Sequence, residues 1–136
     1  FAGLGTFALS LERRVLAVEG SRDAALALKG AANRAQRTIF VDHRDLFRSP
    51  LDEAELGRFE AIVLDPPRAG AREQCELLAR SGVPHIASVS CNPNTFARDA
   101  KILIEGGYRL DWVKPVGQFR WSTHVEVAAQ FTRRGQ

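Results

Sequence analysis

Apolar and polar positions follow two rhythms along this chain, and the rhythm changes every ten to fifteen residues. Short apolar runs, "RVLAVEG" at 14–20, "TIFVDHRD" at 38–45, "FEAIVLDPPR" at 59–68 and "PHIASVSC" at 84–91, predict strands, the third stopped by two prolines. Between them the spacing shifts to three and four. That spacing predicts helices over 21–37, opened by Ser21 as N-cap, over 71–83, with Cys75, Leu78 and Ala79 on the inner face, and over 94–108, closed by Gly106-Gly107. Two extended stretches, 108–116 and 123–133, end the pattern with no room for a helix between them. They predict an antiparallel, hairpin-like edge.

Alternating strands and helices at this pitch define an α/β domain with a mostly parallel twisted sheet and helices on both faces. A length of 136 residues suits one such domain, 1–136. The opening, "FAGLGTFALSLE", reads as a glycine-rich turn entering a helix, yet no strand comes before it. A doubly wound fold needs one there. The expectation is a truncated first strand, with Phe1 at its end, in a piece of a longer protein.

In open α/β sheets ligands collect outside the carboxyl ends of the strands. Four features fall on that edge. Gly3 and Gly5, with Thr6, form a tight turn that lets backbone approach a ligand. Glu19 ends its strand and suits the two hydroxyls of a ribose, or equally a solvated strand end. Asp45 ends the next strand and suits an adenine amino group, or the cap of a short turn. The fourth is Asp65-Pro66-Pro67-Arg68, where two prolines stop the strand and force a stiff loop that presents Asp65 at a fixed position. Together they point to a ligand that carries a nucleoside. The turn is compatible with a dinucleotide fingerprint, G-x-G-x-x-G/A, but hydride transfer needs neither a proline-stiffened acid nor the cysteine loop at 90–93.

Charge changes the picture a little. The net charge is +3, and of 19 basic residues only Lys29, Lys101 and Lys114 are lysine. Arginine suits phosphate and base contacts, though a bias in genome composition produces the same excess. Cys75 and Cys91 stand at spacings that fit neither a disulfide framework nor a zinc site, so a reducing, cytoplasmic setting is expected and no metal. No apolar run approaches the roughly 20 residues that span a bilayer, and no membrane association is expected.

Cys91 is the chemically pointed residue. It closes a strand and is followed by Asn92-Pro93, a helix start, whereas Cys75 sits in the apolar stripe of a helix. With Asp65-Pro66-Pro67-Arg68, Ser90-Cys91-Asn92-Pro93 and His124-Val125-Glu126 in this order, the chain resembles the RNA 5-methyluridine (uracil-C5) methyltransferases over essentially its whole length. The resemblance implies a Rossmann-like class I methyltransferase fold using S-adenosylmethionine, forming the C-terminal catalytic domain of a protein whose N-terminal RNA-binding part lies elsewhere. It implies that Phe1, Gly3, Gly5, Thr6, Glu19, Asp45 and Asp65 line the methyl-donor site. It makes Cys91 the nucleophile, Glu126 the base, and uracil in tRNA or ribosomal RNA the substrate.

Asp65, Pro66, Arg68, Asn92 and Phe119 are the candidate substrate contacts. Phe119 and Trp121 offer stacking for a flipped base, and Arg68 and Arg120 offer phosphate contacts. Two other readings stand beside this one. An amino-methyltransferase also uses an Asp-Pro-Pro loop, but continues it with an aromatic residue where this chain has Arg68. A catalytically idle nucleotide-binding module would keep the fold without the cysteine chemistry.

Overall fold

The computed structural model describes residues 1–2, 14–117 and 125–135. It divides into two compact units, Phe1–Ser49 and Pro50–Gln136.

The first unit is a strand–helix–strand. Strand β1 (Val15–Glu19) pairs in parallel with β2 (Ile39–His43), from Val15 opposite Ile39 to Glu19 opposite His43. Helix α1 (Arg22–Arg34) connects them. Its start follows from sequence: the Ser21 hydroxyl accepts the amide of Ala24, with Asp23 in the first turn where the helix dipole favours an acid. Ala25, Leu28 and Ala32, spaced three and four apart, are its buried stripe. Leu28 and Ala17 form a small core that Val15, Ile39 and Val41 flank. The Ala2 amide donates to the carbonyl of Val18, which lays residue 2 alongside β1.

The second unit carries a four-stranded sheet in the order β3-β4-β6-β5. Here β3 is Ala61–Leu64, β4 His85–Ser90, β5 Tyr108–Gly117 and β6 Val125–Arg133. Strands β3 and β4 are parallel, and β6 runs antiparallel to both β4 and β5. The closing pair is therefore antiparallel, as its short connection requires, and β6 lies inside while β5 takes the edge. Helices α3 (Arg72–Ala79) and α4 (Pro93–Glu105) pack on each other. The core of this unit includes Ile86, Phe131, Leu78, Leu103 and Tyr108, all essentially without exposed surface. Each such side chain contributes about 1.5–3 kcal/mol by leaving water.

Element ends follow or depart from the periodicity in informative ways. The strand expected to stop at the two prolines does so, ending at Leu64, because Pro66 and Pro67 have no amide to extend a ladder. The helix expected to end at Val83 stops at Ala79, and Ala79 is half-buried. A side-chain carbon on Gly106 would stand 2.3 Å from the Ala79 Cβ, so only glycine lets α4 end against α3. Arg133 joins the same place, donating to the carbonyls of Leu78, Ala79 and Gly106 with its guanidinium 4.2 Å from the Tyr108 ring. A four-residue helix, α2 (Glu53–Leu56), was not expected from periodicity; it stands on a capping box between Asp52 and Glu55. No helix among the described residues is long and apolar enough to cross a membrane.

Candidate active site

Parallel pairing brings the carboxyl ends of β3 and β4 side by side, and the two loops that leave them carry Asp65 and Cys91. Leu64 lies opposite Ser88 on β4, and Ser90 lies opposite Val127 on β6. Because β6 is antiparallel, Glu126 occupies the position beyond that last pair, on the side where Cys91 leaves β4. Sulfur and carboxylate are thus carried on adjacent strands at one end of the sheet. Cys91 is a free, half-buried thiol. Cys75 is buried, and that burial pushes its thiol well above the ordinary range, which keeps it protonated and inert.

The Cys91 loop is held from both sides. The Ser90 hydroxyl donates to the Asn92 carbonyl (3.0 Å) and accepts the Asn92 amide (3.2 Å), closing a tight bridge around residue 91. Asn92 then caps α4: its side-chain oxygen accepts the Asn94 amide at 3.0 Å, and Pro93 takes the first helical position, where no amide is needed. Its side-chain nitrogen donates to the Arg68 carbonyl at 3.1 Å. Asn92, expected among the substrate contacts, thus has its amide engaged at both ends by protein.

Asp65 carries the site's electrostatic signature. Its carboxyl is raised above the ordinary 3.8, first by desolvation and then by the negative charge of Glu126. The residue keeps accessible surface, so the protein around it screens only part of its water. The second cause places Glu126 within electrical reach of Asp65. Among its neighbours, Pro66 is buried, while Arg68 is exposed.

That shift has a consequence for stability. An acid whose folded value lies above its unfolded value costs nothing while both states are protonated. The cost grows as pH rises from the ordinary value through the raised one, and is complete at neutral pH. Asp65→Asn is therefore expected to raise the melting temperature at pH 7, with the gain vanishing below pH 3.8. Thermal unfolding followed across pH checks this; an Asn variant that melts lower at pH 7 contradicts it.

In the first unit, the side chain of Glu19 accepts the Ser21 amide at 2.8 Å, which sets its carboxylate at the strand end. Asp45 accepts the Phe47 amide at 2.9 Å and so shapes the turn after β2. His43 reaches the Gly20 carbonyl at 3.1 Å. The Phe1 ring meets Phe47 edge-on, with centroids 5.5 Å apart. Gly3, Gly5, Thr6 and Phe119, with Arg120, Trp121 and His124, lie outside the described residues. Among the described residues no group of three or more His, Cys, Asp or Glu is placed to hold a metal ion.

Sequence reasoning passed over Thr95, Arg98 and Asp99, which tie the two loops together. The signal was present: three polar positions at i, i+3 and i+4 on one face of α4, directly after the Asn-Pro cap.

Parallel strands joined through helices in each unit, with an antiparallel closing pair in the second, are the Rossmann-like α/β pattern, and comparison with known proteins gives its class. The solved tRNA (uracil-54, C5)-methyltransferase of Pyrococcus abyssi, in complex with S-adenosyl-L-homocysteine, superimposes with a TM-score of 0.83 at 27% identity, covering 96% of this chain and 32% of that one. The model of the tRNA (Uracil-5-)-methyltransferase family matches residues 35–134, and the chain belongs to that family. An uncharacterized RNA methyltransferase of Zymomonas mobilis is 63% identical over 98% of this chain and 34% of its own length. The 23S rRNA (uracil(1939)-C(5))-methyltransferase RlmD of Alteromonas naphthalenivorans is 39% identical over the whole chain and 30% of its own length. The chain spans about a third of the curated relatives it matches.

Proposed function

We propose that the protein methylates carbon 5 of uracil in a tRNA or ribosomal RNA, with S-adenosylmethionine as donor, through a transient bond between Cys91 and carbon 6. The observation that carries the reading is the convergence of Cys91, Glu126 and Asp65 at the carboxyl end of β3 and β4, on neighbouring strands.

Carbon 5 of uracil is a weak nucleophile. Addition of the Cys91 thiolate at carbon 6 breaks the ring conjugation and leaves an enolate with electron density on carbon 5. Carbon 5 then takes a methyl group from the donor sulfonium, which would leave as a neutral thioether, and carbon 5 holds both the methyl and its original hydrogen. Glu126 removes that proton as general base, and the released electron pair re-forms the 5,6 double bond and expels the thiolate. Atoms balance: one methyl gained, one proton lost, the cysteine regenerated.

The donor set in the first unit fits the nucleoside portion of the methyl donor. Glu19 is a strand-end carboxylate aligned by a backbone amide, the chemistry that holds ribose hydroxyls, and Asp45 sits in the turn just after the neighbouring strand, where an adenine edge would be read. When bound, S-adenosylmethionine supplies an electrophilic methyl on a sulfonium. Asp65 and the backbone of its loop hold the reacting partners in place, and Arg68 takes a phosphate of the flipped nucleotide. An amino-methyltransferase needs no cysteine, and Arg68 replaces the aromatic residue its loop would use to stack the base.

RNA containing 5-fluorouridine tests the chemistry. Fluorine on carbon 5 cannot leave as a proton, so the last step stops and protein stays bonded to RNA. A donor-dependent covalent band on a denaturing gel is the expected result. Donor-saturated protein that forms no such band overturns the proposal.

A further inference from the structure

The Asp65 loop and the Cys91 loop leave different strands, and one face of α4 reaches across to fasten the first to the second. The Thr95 hydroxyl lies 3.0 Å from the Arg68 carbonyl and 3.2 Å from the Asn92 carbonyl, one group from each loop. Arg98 Nη2 donates to the Ala69 carbonyl at 2.8 Å and, together with Nε, to Asp99 Oδ1 at 3.0 and 3.1 Å. Asp99 is only 7% exposed, and its other oxygen accepts the Ala71 amide at 2.7 Å. A buried carboxylate is costly unless its oxygens are satisfied, so this one is committed to the end of the loop. Gly70 completes the arrangement. Its φ is +80°, and a Cβ there would stand 2.5 Å from Arg98 Nη2 and 2.8 Å from Asp99 Oδ2.

These contacts run along the loop from residue 68 to residue 71, immediately after Asp65, and their anchors sit on the helix that Asn92 caps. Resting on the reaction proposed above, we propose that Thr95, Arg98 and Asp99 are positioning residues, a clamp that fixes the Asp65 loop in register with Cys91 for methyl transfer. The clamp touches neither sulfur nor base. Its effect is on distance, and a displacement of about 1 Å in a reacting geometry costs on the order of 10²-fold in rate. A purely structural role is the competing account, because Asp99 also supplies the cap that Ala71 lacks at the start of α3.

The two accounts separate by step. Addition of Cys91 to carbon 6 with a solvent proton taken up at carbon 5, then loss of the original hydrogen to Glu126 and expulsion of the thiolate, exchange the carbon 5 hydrogen with solvent; this uses Cys91 and Glu126 but no methyl donor. Methyl transfer needs both loops in register. In Thr95→Val and Asp99→Asn variants of the full-length protein, tritium release from carbon 5 of uridine without donor is expected within about threefold of wild type. Methyl-transfer kcat is expected to fall about 10- to 100-fold, with KM for RNA nearly unchanged. Thr95→Ser, which restores the hydroxyl, is expected to recover most of the rate.

Exchange and methylation falling together in Thr95→Val, or Thr95→Ser failing to rescue, overturns the clamp while leaving the cysteine chemistry standing. Unchanged methylation in both variants does the same. A wild-type protein that performs neither exchange nor methylation overturns the reaction itself, and the clamp with it.

Discussion

Cys91→Ala is expected to abolish methylation, with a fall of about 10⁴-fold or more in turnover, and to lose the covalent product with 5-fluorouridine RNA entirely. No other group described at the β3–β4 edge can add to carbon 6: Asp65 and Glu126 are weak nucleophiles, and Cys75 is buried in the α3 stripe with its thiol held protonated. Donor affinity is expected to stay within about twofold of wild type, since Glu19 and Asp45 belong to the first unit. The fold is expected to survive, because residue 91 is half-buried and its loop is closed by Ser90 and Asn92 rather than by the sulfur. Cys75→Ala gives the contrast. It leaves a small cavity in the core, lowering stability by roughly 1 kcal/mol, and keeps turnover. Calorimetric donor titration, gel capture and turnover on the same preparations check all of this. A Cys91→Ala protein that still methylates removes the cysteine from the reaction.

Much of this fold was legible because its strands are short, apolar and well punctuated. Proline marked the end of β3, Asn92-Pro93 the start of α4, and Ser21 the start of α1; each acts through its own backbone chemistry and needs no distant partner. The antiparallel closure followed from length alone. Strand order did not, since nothing in the pattern of 123–133 shows that β6 enters between β4 and β5 rather than lying outside. That insertion matters, because it is what sets Glu126 beside the end of β4.

The same division runs through the site. Asp65, Cys91 and Glu126 stood out as residue types at strand ends or beside them, where position and chemistry are read together. The clamp was hidden because its partners are far apart in sequence: Ala71 and Asp99 are 28 residues apart, and Arg98 reads as one arginine among many until its neighbours are known. Asn92 was picked out by its place beside the cysteine; its hydrogen bonds to the helix start and to Arg68 become visible only once the two loops are folded together.

Glu126→Gln is expected to separate the two halves of the reaction. Glutamine has nearly the same shape and keeps the backbone pairing with Val116, so β6 retains its register and Cys91 its surroundings. Addition and methyl transfer then proceed once, but the amide cannot take the proton from carbon 5. The thiolate is not expelled, and methylated RNA stays bonded to the protein. Steady-state turnover falls by about 10²- to 10⁴-fold, the range that general bases contribute, while a single turnover of methyl transfer remains visible. Ordinary RNA should then give the denaturation-resistant band that wild-type protein gives only with 5-fluorouridine. A second readout is independent of RNA. The charge on Glu126 is one of the causes that raise Asp65, so in the Gln variant the Asp65 carboxyl titrates closer to 3.8, measurable by carbon-13 chemical shift against pH. A Gln variant that turns over normally, or one that loses the first turnover as well, assigns the proton to another group; an unmoved Asp65 places the two carboxylates too far apart to share one site.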